Sequence, residues 1–79
     1  MLSFEYNPKS DTLDIFFDLD GRDRLVASLL KINVPGDHDH LMTSSWGGDE
    51  LTETVHSPDN VPVHMVTIGM SRTDACKSE

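Results

Sequence analysis

Two histidines in alternating positions are the residues of this chain whose spacing is most suggestive of chemistry. On a strand, His38 and His40 would present both imidazoles on one face, and Asp37 and Asp39 beside them carry oxygen ligands. Zinc takes three or four nitrogen, sulfur or oxygen ligands in tetrahedral geometry. One hypothesis is therefore a small His-rich metal-binding domain held by His38 and His40. The other interpretation is exposed histidines without a metal, and we favour it and expect no cofactor.

The remaining reactive residues do not form a recognisable catalytic set. Ser44 and Ser45 lack the sequence of a nucleophile elbow, and Cys76 lies in a polar C-terminal stretch. The pair Gly47 and Gly48 lacks the lysine and the following helix that a phosphate-binding loop needs. A domain of 79 residues also has little room to enclose a pocket of ~300 Å³. We therefore expect no enzyme activity.

Charge is distributed very unevenly along the chain. The 14 acidic and 6 basic residues give a formal net charge of −8, and no lysine or arginine occurs between Ile32 and Ser71. This argues against nucleic acid and against an anionic membrane surface, because both are bound through basic side chains. No apolar run approaches the ~18 residues of a membrane span, and the N-terminus lacks a basic secretory signal. A single cysteine suggests a reducing compartment, and we expect the cytoplasm.

Apolar periodicity predicts the elements of the N-terminal half. Residues 2–6 and 12–18 alternate in hydrophobicity and flank a turn, which is typical of an antiparallel hairpin. A helix is predicted to start at Asp20 as its N-cap and to stop before Pro35-Gly36. Its apolar stripe should cover the hairpin and is predicted to contain the following residues: Leu25, Val26, Leu29, Leu30 and Ile32.

The C-terminal half predicts further strands. Residues 38–45 should form a third strand, 50–56 either a short edge strand or an irregular segment, and 61–70 a final strand. The predicted fold is α+β: a small antiparallel sheet of four or five strands with one amphipathic helix on one face, in the order β-β-α-β-(β)-β. We expect one domain over residues 1–71 and a polar tail over 72–79. An exposed strand edge would support a homodimer, although nothing in the chain decides this.

The single tryptophan marks the candidate binding surface. Trp46 precedes two glycines and is followed by Asp49, Glu50 and Glu53. Tryptophan is enriched at interface hot spots, so one hypothesis is a loop that offers Trp46 to a protein partner within a rim of carboxylates. The other interpretation places Trp46 in the core as its largest residue. The exposure of the indole distinguishes the two.

A segment of about sixteen residues resembles a known family. His38-Asp39-His40-Leu41-Met42-Thr43-Ser44-Ser45-Trp46-Gly47-Gly48-Asp49-Glu50-Leu51-Thr52-Glu53 is similar to the core signature of the immunity protein 32 family of bacterial polymorphic toxin systems. The preceding helix and the later His64-containing strand fit in order. The likeness covers most of residues 12–70, and the N-terminal hairpin and the tail add nothing to it.

The resemblance implies a protein without enzyme activity that binds and neutralises a cognate bacterial toxin. Many such toxins are nucleases with basic clefts, which an acidic inhibitor would reach quickly under electrostatic steering. We therefore expect a basic toxin as partner, contacted through Trp46, Asp49, Glu50 and Glu53. A phage-encoded acidic inhibitor of a host nuclease is a further alternative, because it would share the same charge.

Overall fold

Five strands and one helix build the part of the chain that the computed structural model describes, residues 1–72. The elements follow in this order: β1 (Leu2–Asn7), β2 (Thr12–Phe17), α1 (Leu19–Leu30), β3 (His38–Met42), a 3-10 helix (Ser44–Trp46), β4 (Val61–Pro62) and β5 (Met65–Gly69). They form two antiparallel sheets with the strand orders β2-β1-β4 and β3-β5. The predicted α+β class is thus confirmed, and the five strands are divided between two sheets.

The predicted final strand is divided because it serves both sheets. β4 pairs with β1, whereas β5 pairs with β3 over its whole length. Between them, the Val63 N–H donates to the Phe4 carbonyl at 2.8 Å, and the His64 carbonyl accepts from the Thr43 N–H at 3.0 Å. The chain therefore passes from one sheet to the other at Val63 and His64. The sequence of residues 61–70 predicts a single strand and does not indicate this crossing.

Two other segments differ from the predicted strands. β3 ends at Met42, and residues 43–45, predicted as strand, lead into the 3-10 helix instead. Residues 50–56 are irregular apart from a single bridge between Thr43 and Leu51, which agrees with the second of the two alternatives.

The helix begins two residues earlier than predicted. Asp18, not Asp20, is the N-cap, and its carboxylate accepts a hydrogen bond from the Gly21 N–H at 2.9 Å. Asp20 lies in the first turn, where a negative charge still interacts favourably with the helix dipole. The helix ends at Leu30, before the predicted stop at Pro35.

The helix also turns a different face inward. Gly21 and Ser28 are buried and Leu25 is half-buried, whereas Val26 and Leu29 of the predicted stripe are exposed. A Cβ added to Gly21 would lie 1.8 Å from the Met1 carbonyl oxygen, so only glycine permits this approach of helix and strand. Close backbone packing at Gly21 therefore decides the helix orientation against the apolar stripe.

The core lies between the two sheets and is small. Its buried members are Leu2, Phe4, Leu41 and Leu51, and four half-buried residues pack against them: Leu25, Val63, Val66 and Ile68. Many other apolar side chains stay exposed, and β2 contributes four of them: Leu13, Ile15, Phe16 and Phe17. On β2 the exposed residues Leu13, Ile15 and Phe17 lie on one side of the sheet and Phe16 on the other. The helix carries a further exposed apolar surface.

The predicted tail, residues 72–79, lies outside the described residues except for Arg72, and Cys76 lies outside them as well. Within residues 1–72, no helix is long and apolar enough to cross a membrane.

Candidate functional site

Trp46 lies on the surface, at the end of the 3-10 helix. Its side chain is 57% exposed, and Gly47 ends the helix with a φ of 91°, a left-handed conformation that favours glycine. The indole ring lies parallel to the His64 ring, with 6.4 Å between the ring centroids and an interplanar angle of 4°. The interpretation that places Trp46 in the core is therefore wrong. Its aromatic neighbour is His64.

His64 is held in place by Thr43, the residue between β3 and the 3-10 helix. The Oγ1 atom of the fully buried Thr43 lies 2.8 Å from His64 Nδ1, and the Thr43 N–H donates to the His64 carbonyl. These two contacts fix the ring against which Trp46 lies. The ring beside the exposed indole is thus positioned by a buried threonine.

Glu53 is hydrogen-bonded to the 3-10 helix that carries Trp46. Its Oε2 atom accepts from the Ser45 N–H at 3.0 Å and lies 3.8 Å from His64 Nδ1. Hydrogen bonds from the side chain and backbone of Ser45 lower the pKa of this carboxyl, and partial desolvation opposes them. The carboxylate is exposed, so it carries a negative charge beside His64 at neutral pH.

Glu50 uses its carboxylate inside the chain. Its Oε1 atom accepts from the Met42 N–H at 2.9 Å, and this bond is the main cause of its lowered pKa. A Cβ added to Gly48 would lie 2.7 Å from that oxygen and 2.7 Å from the Met42 carbonyl oxygen. Gly48 therefore leaves the space through which Glu50 reaches β3.

Asp49 is the most exposed acid of the candidate site. Its side chain is 87% exposed, and its Oδ1 atom lies 3.9 Å from Arg24 Nη1. An ion pair at this distance and exposure contributes little. The ion pair also shows that α1 places a basic residue, Arg24, next to Asp49, whereas residues 32–71 contain no lysine or arginine.

An open groove of about 610 Å³ lies between the start of α1 and the turn at residues 49–50. We call it the acidic groove, since four carboxylates and one guanidinium line it together with Met1, Leu2 and Gly21: Asp20, Asp23, Asp49, Glu50 and Arg24. Asp49 and Glu50 belong to both the groove and the predicted site, whereas Trp46 and Glu53 lie beside His64. The predicted residues are thus divided between two neighbouring features.

The His38 and His40 rings meet as the alternation on β3 predicts. Their centroids are 4.9 Å apart at an interplanar angle of 67°. His40 Nδ1 lies 3.0 Å from Thr67 Oγ1, so one ring nitrogen is engaged within the second sheet. Among residues 1–72, no three His, Cys, Asp or Glu side chains group closely enough to hold a metal ion.

A buried cluster around Glu5 was missed by the sequence analysis. Glu5 is fully buried on β1, where the Asn60 side chain and the His56 N–H each donate to its Oε1 atom at 2.8 Å. His56 Nδ1 lies 2.6 Å from Oε2, and the Ser3 hydroxyl also donates to Oε2. Burial would raise the pKa of Glu5, but these bonds outweigh it and lower the pKa to about 2.

The cluster lies on the face of β1 opposite the core. Ser3 pairs with Phe16 and Glu5 with Asp14, so all four side chains share that face. The His56 ring stacks on Phe16 with 4.4 Å between centroids, and Asn60 donates to Asp14 at 3.3 Å. Alternation alone places Ser3 and Glu5 in solvent, and no local signal identifies the distant residues that cover them.

The chemistry of the cluster is structural. A serine nucleophile needs a hydrogen bond to its base, whereas the Ser3 hydroxyl donates to Glu5 and not to His56. Ser3, Glu5 and Asn60 are also buried, which denies them to a substrate. The cluster therefore attaches the segment 56–60 to β1.

Comparisons with protein-family models, with curated proteins and with solved structures find no match to this chain.

Proposed function

We propose that the protein is an immunity protein that binds and neutralises a cognate bacterial toxin by direct contact. The observation that carries the proposal is the exposed Trp46, whose ring lies parallel to that of His64, which in turn lies next to the carboxylate of Glu53. A large, oriented aromatic side chain within a charged rim is typical of a protein-interaction hot spot. The family resemblance of residues 38–53 supports the same function.

Charge supports a basic partner. The segment from Ile32 to Ser71 contributes no lysine or arginine, and the acidic groove adds the carboxylates of Asp20 and Asp23 to that of Asp49. Arg24 neutralises Asp49 only weakly at 3.9 Å, so a basic residue of the partner could replace it. A nucleic acid would be repelled by the same surface.

We infer further that the toxin is a nuclease. A nuclease presents a basic cleft to its phosphate substrate, and a surface of carboxylates complements such a cleft. This inference rests on charge alone and is separable from the immunity function, because a basic toxin of another activity would satisfy the same contacts.

Co-expression tests the proposed function. The product of the gene adjacent to this one should arrest growth when expressed alone, and expression of this protein should restore growth. Failure to restore growth, with both proteins detected in the cell, would overturn the proposal.

Association kinetics test the proposed surface. Asp49→Lys should slow association with the toxin by roughly tenfold at low salt, because it reverses a fully exposed charge in the steering field. Asp59→Lys is the matched control: it changes the net charge equally, but Asp59 pairs with Lys9 at the hairpin turn, at the other end of β1 from the acidic groove. Equal rates for the two variants would rule out the surface around Asp49.

A further inference from the structure

β2 is an edge strand with an apolar face that the described residues leave uncovered. It lies at one side of the order β2-β1-β4, and no other strand within residues 1–72 pairs with its outer edge. Ile15 faces the buried Phe4 across the ladder and Phe17 faces the buried Leu2, yet Ile15 is 42% and Phe17 50% exposed. The apolar surface of the sheet therefore continues past the core and ends at β2.

The features that normally block an edge strand are absent from β2. Charges, proline and bulges discourage pairing between exposed edges. β2 contains no proline, glycine or lysine, and its pairing with β1 runs without interruption from Thr12 to Phe17. Its one charged residue, Asp14, is half-buried and accepts from Asn60 on the opposite face. The outer edge is therefore free to accept another strand.

We propose that β2 pairs with β2 of a second copy of this chain, which joins the two three-stranded sheets into one antiparallel sheet of six strands. A twofold axis perpendicular to the sheet pairs residues that lie on the same face. One residue of β2 must therefore lie at the axis, opposite the same residue of the second copy. Centring on Asp14 would oppose two carboxylates, and centring on Phe16 would set Asp14 against Asp18. Centring on Ile15 avoids both.

The register centred on Ile15 also matches apolar side chains. Leu13 then opposes Phe17 of the second copy, and the apolar face continues across the junction. Thr12 opposes Asp18, so no acid faces another acid in the ladder. A self-complementary strand of this kind needs no second protein with a matching sequence, which is why we commit to a second copy as its partner.

The exposed area agrees with a dimer. The axis keeps both helices on one face of the joined sheet, so the exposed helix residues accompany the exposed residues of β2. These side chains are Leu13, Ile15, Phe17, Val26, Leu29 and Leu30. Together they leave on the order of 600 Å² of surface per copy in water, at the lower end of the ~600–1,000 Å² that each partner buries in a standard interface.

Salt dependence distinguishes this contact from toxin binding. Each copy carries a net charge of −8, so two copies repel one another and added salt should strengthen their association. Binding of a basic toxin to the acidic surface should weaken with salt instead. The two proposals can therefore fail independently.

Sedimentation equilibrium of the full chain is the first test. The protein should behave as a dimer of twice 8.8 kDa. Ile15→Lys should raise the dissociation constant roughly a hundredfold, because two ammonium groups would meet on the axis and two apolar side chains would be lost from the contact. Val61→Lys is the matched control, since Val61 is 49% exposed on β4 at the other edge of the same sheet. It should leave the dimer intact.

Cross-linking tests the register without a charged substitution. In a Cys76→Ser background, Ile15→Cys should form a disulfide between copies on mild oxidation by diamide, because directly opposed residues have Cα atoms about 4.5–5.5 Å apart. Val61→Cys should keep a free thiol in a dimer that is not cross-linked, because β4 lies at the other edge of the sheet. Circular dichroism of each variant establishes that it is folded.

A monomeric chain at hundreds of micromolar and high salt would overturn the proposal. So would a dimer that forms no disulfide in Ile15→Cys, because its contact would then lie elsewhere. A β2 edge that pairs only with the toxin would also overturn it, and would be seen as protection of β2 amides from exchange in the complex but not in the free chain.

Discussion

Two acidic regions of this molecule use their carboxylates in opposite ways. Glu5 is fully buried and accepts from Ser3, His56 and Asn60, and its pKa is lowered to about 2. Asp49 is 87% exposed and has one distant ion pair with Arg24. Both count equally in the net charge of the sequence. The comparison shows that the charge available to a partner is set by exposure, while the charge that stabilises the fold is set by hydrogen bonds.

Removal of the buried carboxylate should produce the largest effect. Glu5→Ala leaves the donors of Ser3, His56 and Asn60 facing a cavity, and unsatisfied buried groups around a lost charge cost about 3–5 kcal/mol. That is a large share of the free energy of unfolding of a typical domain, which is ~5–15 kcal/mol. Urea unfolding followed by circular dichroism measures it. Asp49→Ala is the control and should change the free energy of unfolding by less than about 0.5 kcal/mol; similar losses for the two variants would contradict the comparison.

Acid should remove the same stabilisation from the native protein. The pKa of Glu5 is about 2 when folded and 4.5 as its ordinary value, so its contribution is complete above pH 4.5 and is lost as the pH falls toward 2. This difference between the two pKa values corresponds to about 3 kcal/mol of the free energy of unfolding. Urea midpoints measured between pH 6 and pH 2 should therefore fall steeply, and Glu5→Gln should flatten the curve. An unchanged slope in Glu5→Gln would show that other acids dominate the pH dependence of stability.

Substitutions in the loop that directs Glu50 inward should lower the free energy of unfolding by an intermediate amount. Gly48→Ala places a Cβ 2.7 Å from the Met42 backbone oxygen and from the Glu50 carboxylate, and we expect a loss of about 1–3 kcal/mol. In Gly47→Ala the added Cβ meets no atom within 4 Å, and only the positive φ is unfavourable for alanine. We therefore expect the free energy of unfolding to fall by about 1 kcal/mol. Thermal unfolding of both variants checks this order. A larger loss at Gly47 would mean that the contact with Glu50 does not constrain the loop.

Trp46→Ala should have the smallest effect on stability and a large effect on binding. With more than half of the side chain already exposed, the free energy of unfolding should fall by less than about 1 kcal/mol. Loss of a hot-spot tryptophan should weaken toxin binding by at least about 2 kcal/mol. Calorimetric titration and urea unfolding measure the two quantities separately. A strongly destabilised variant would place Trp46 among the structural residues instead.

The candidate site was predicted in part. Exposure of Trp46 beside acids was one of two alternatives from sequence, and the pairing of the His38 and His40 rings followed from strand alternation. The inward turn of Glu50 could not be predicted, because its acceptor role depends on the Met42 N–H, eight residues away across a loop. Arg24 reaches Asp49 only through the packing of α1.

The sequence by itself determined the local elements: the hairpin of β1 and β2, one helix, the start of β3 and the absence of bases from Ile32 to Ser71. These depend on alternation, turn residues and composition, which act over a few positions. Only the tertiary structure decided that Glu5 is buried, that the run 61–70 divides between two sheets and that the helix turns Gly21 inward. Each of these depends on distant partners, such as His56 and Glu5, which are 51 positions apart in the sequence. No local pattern encodes contacts of that separation.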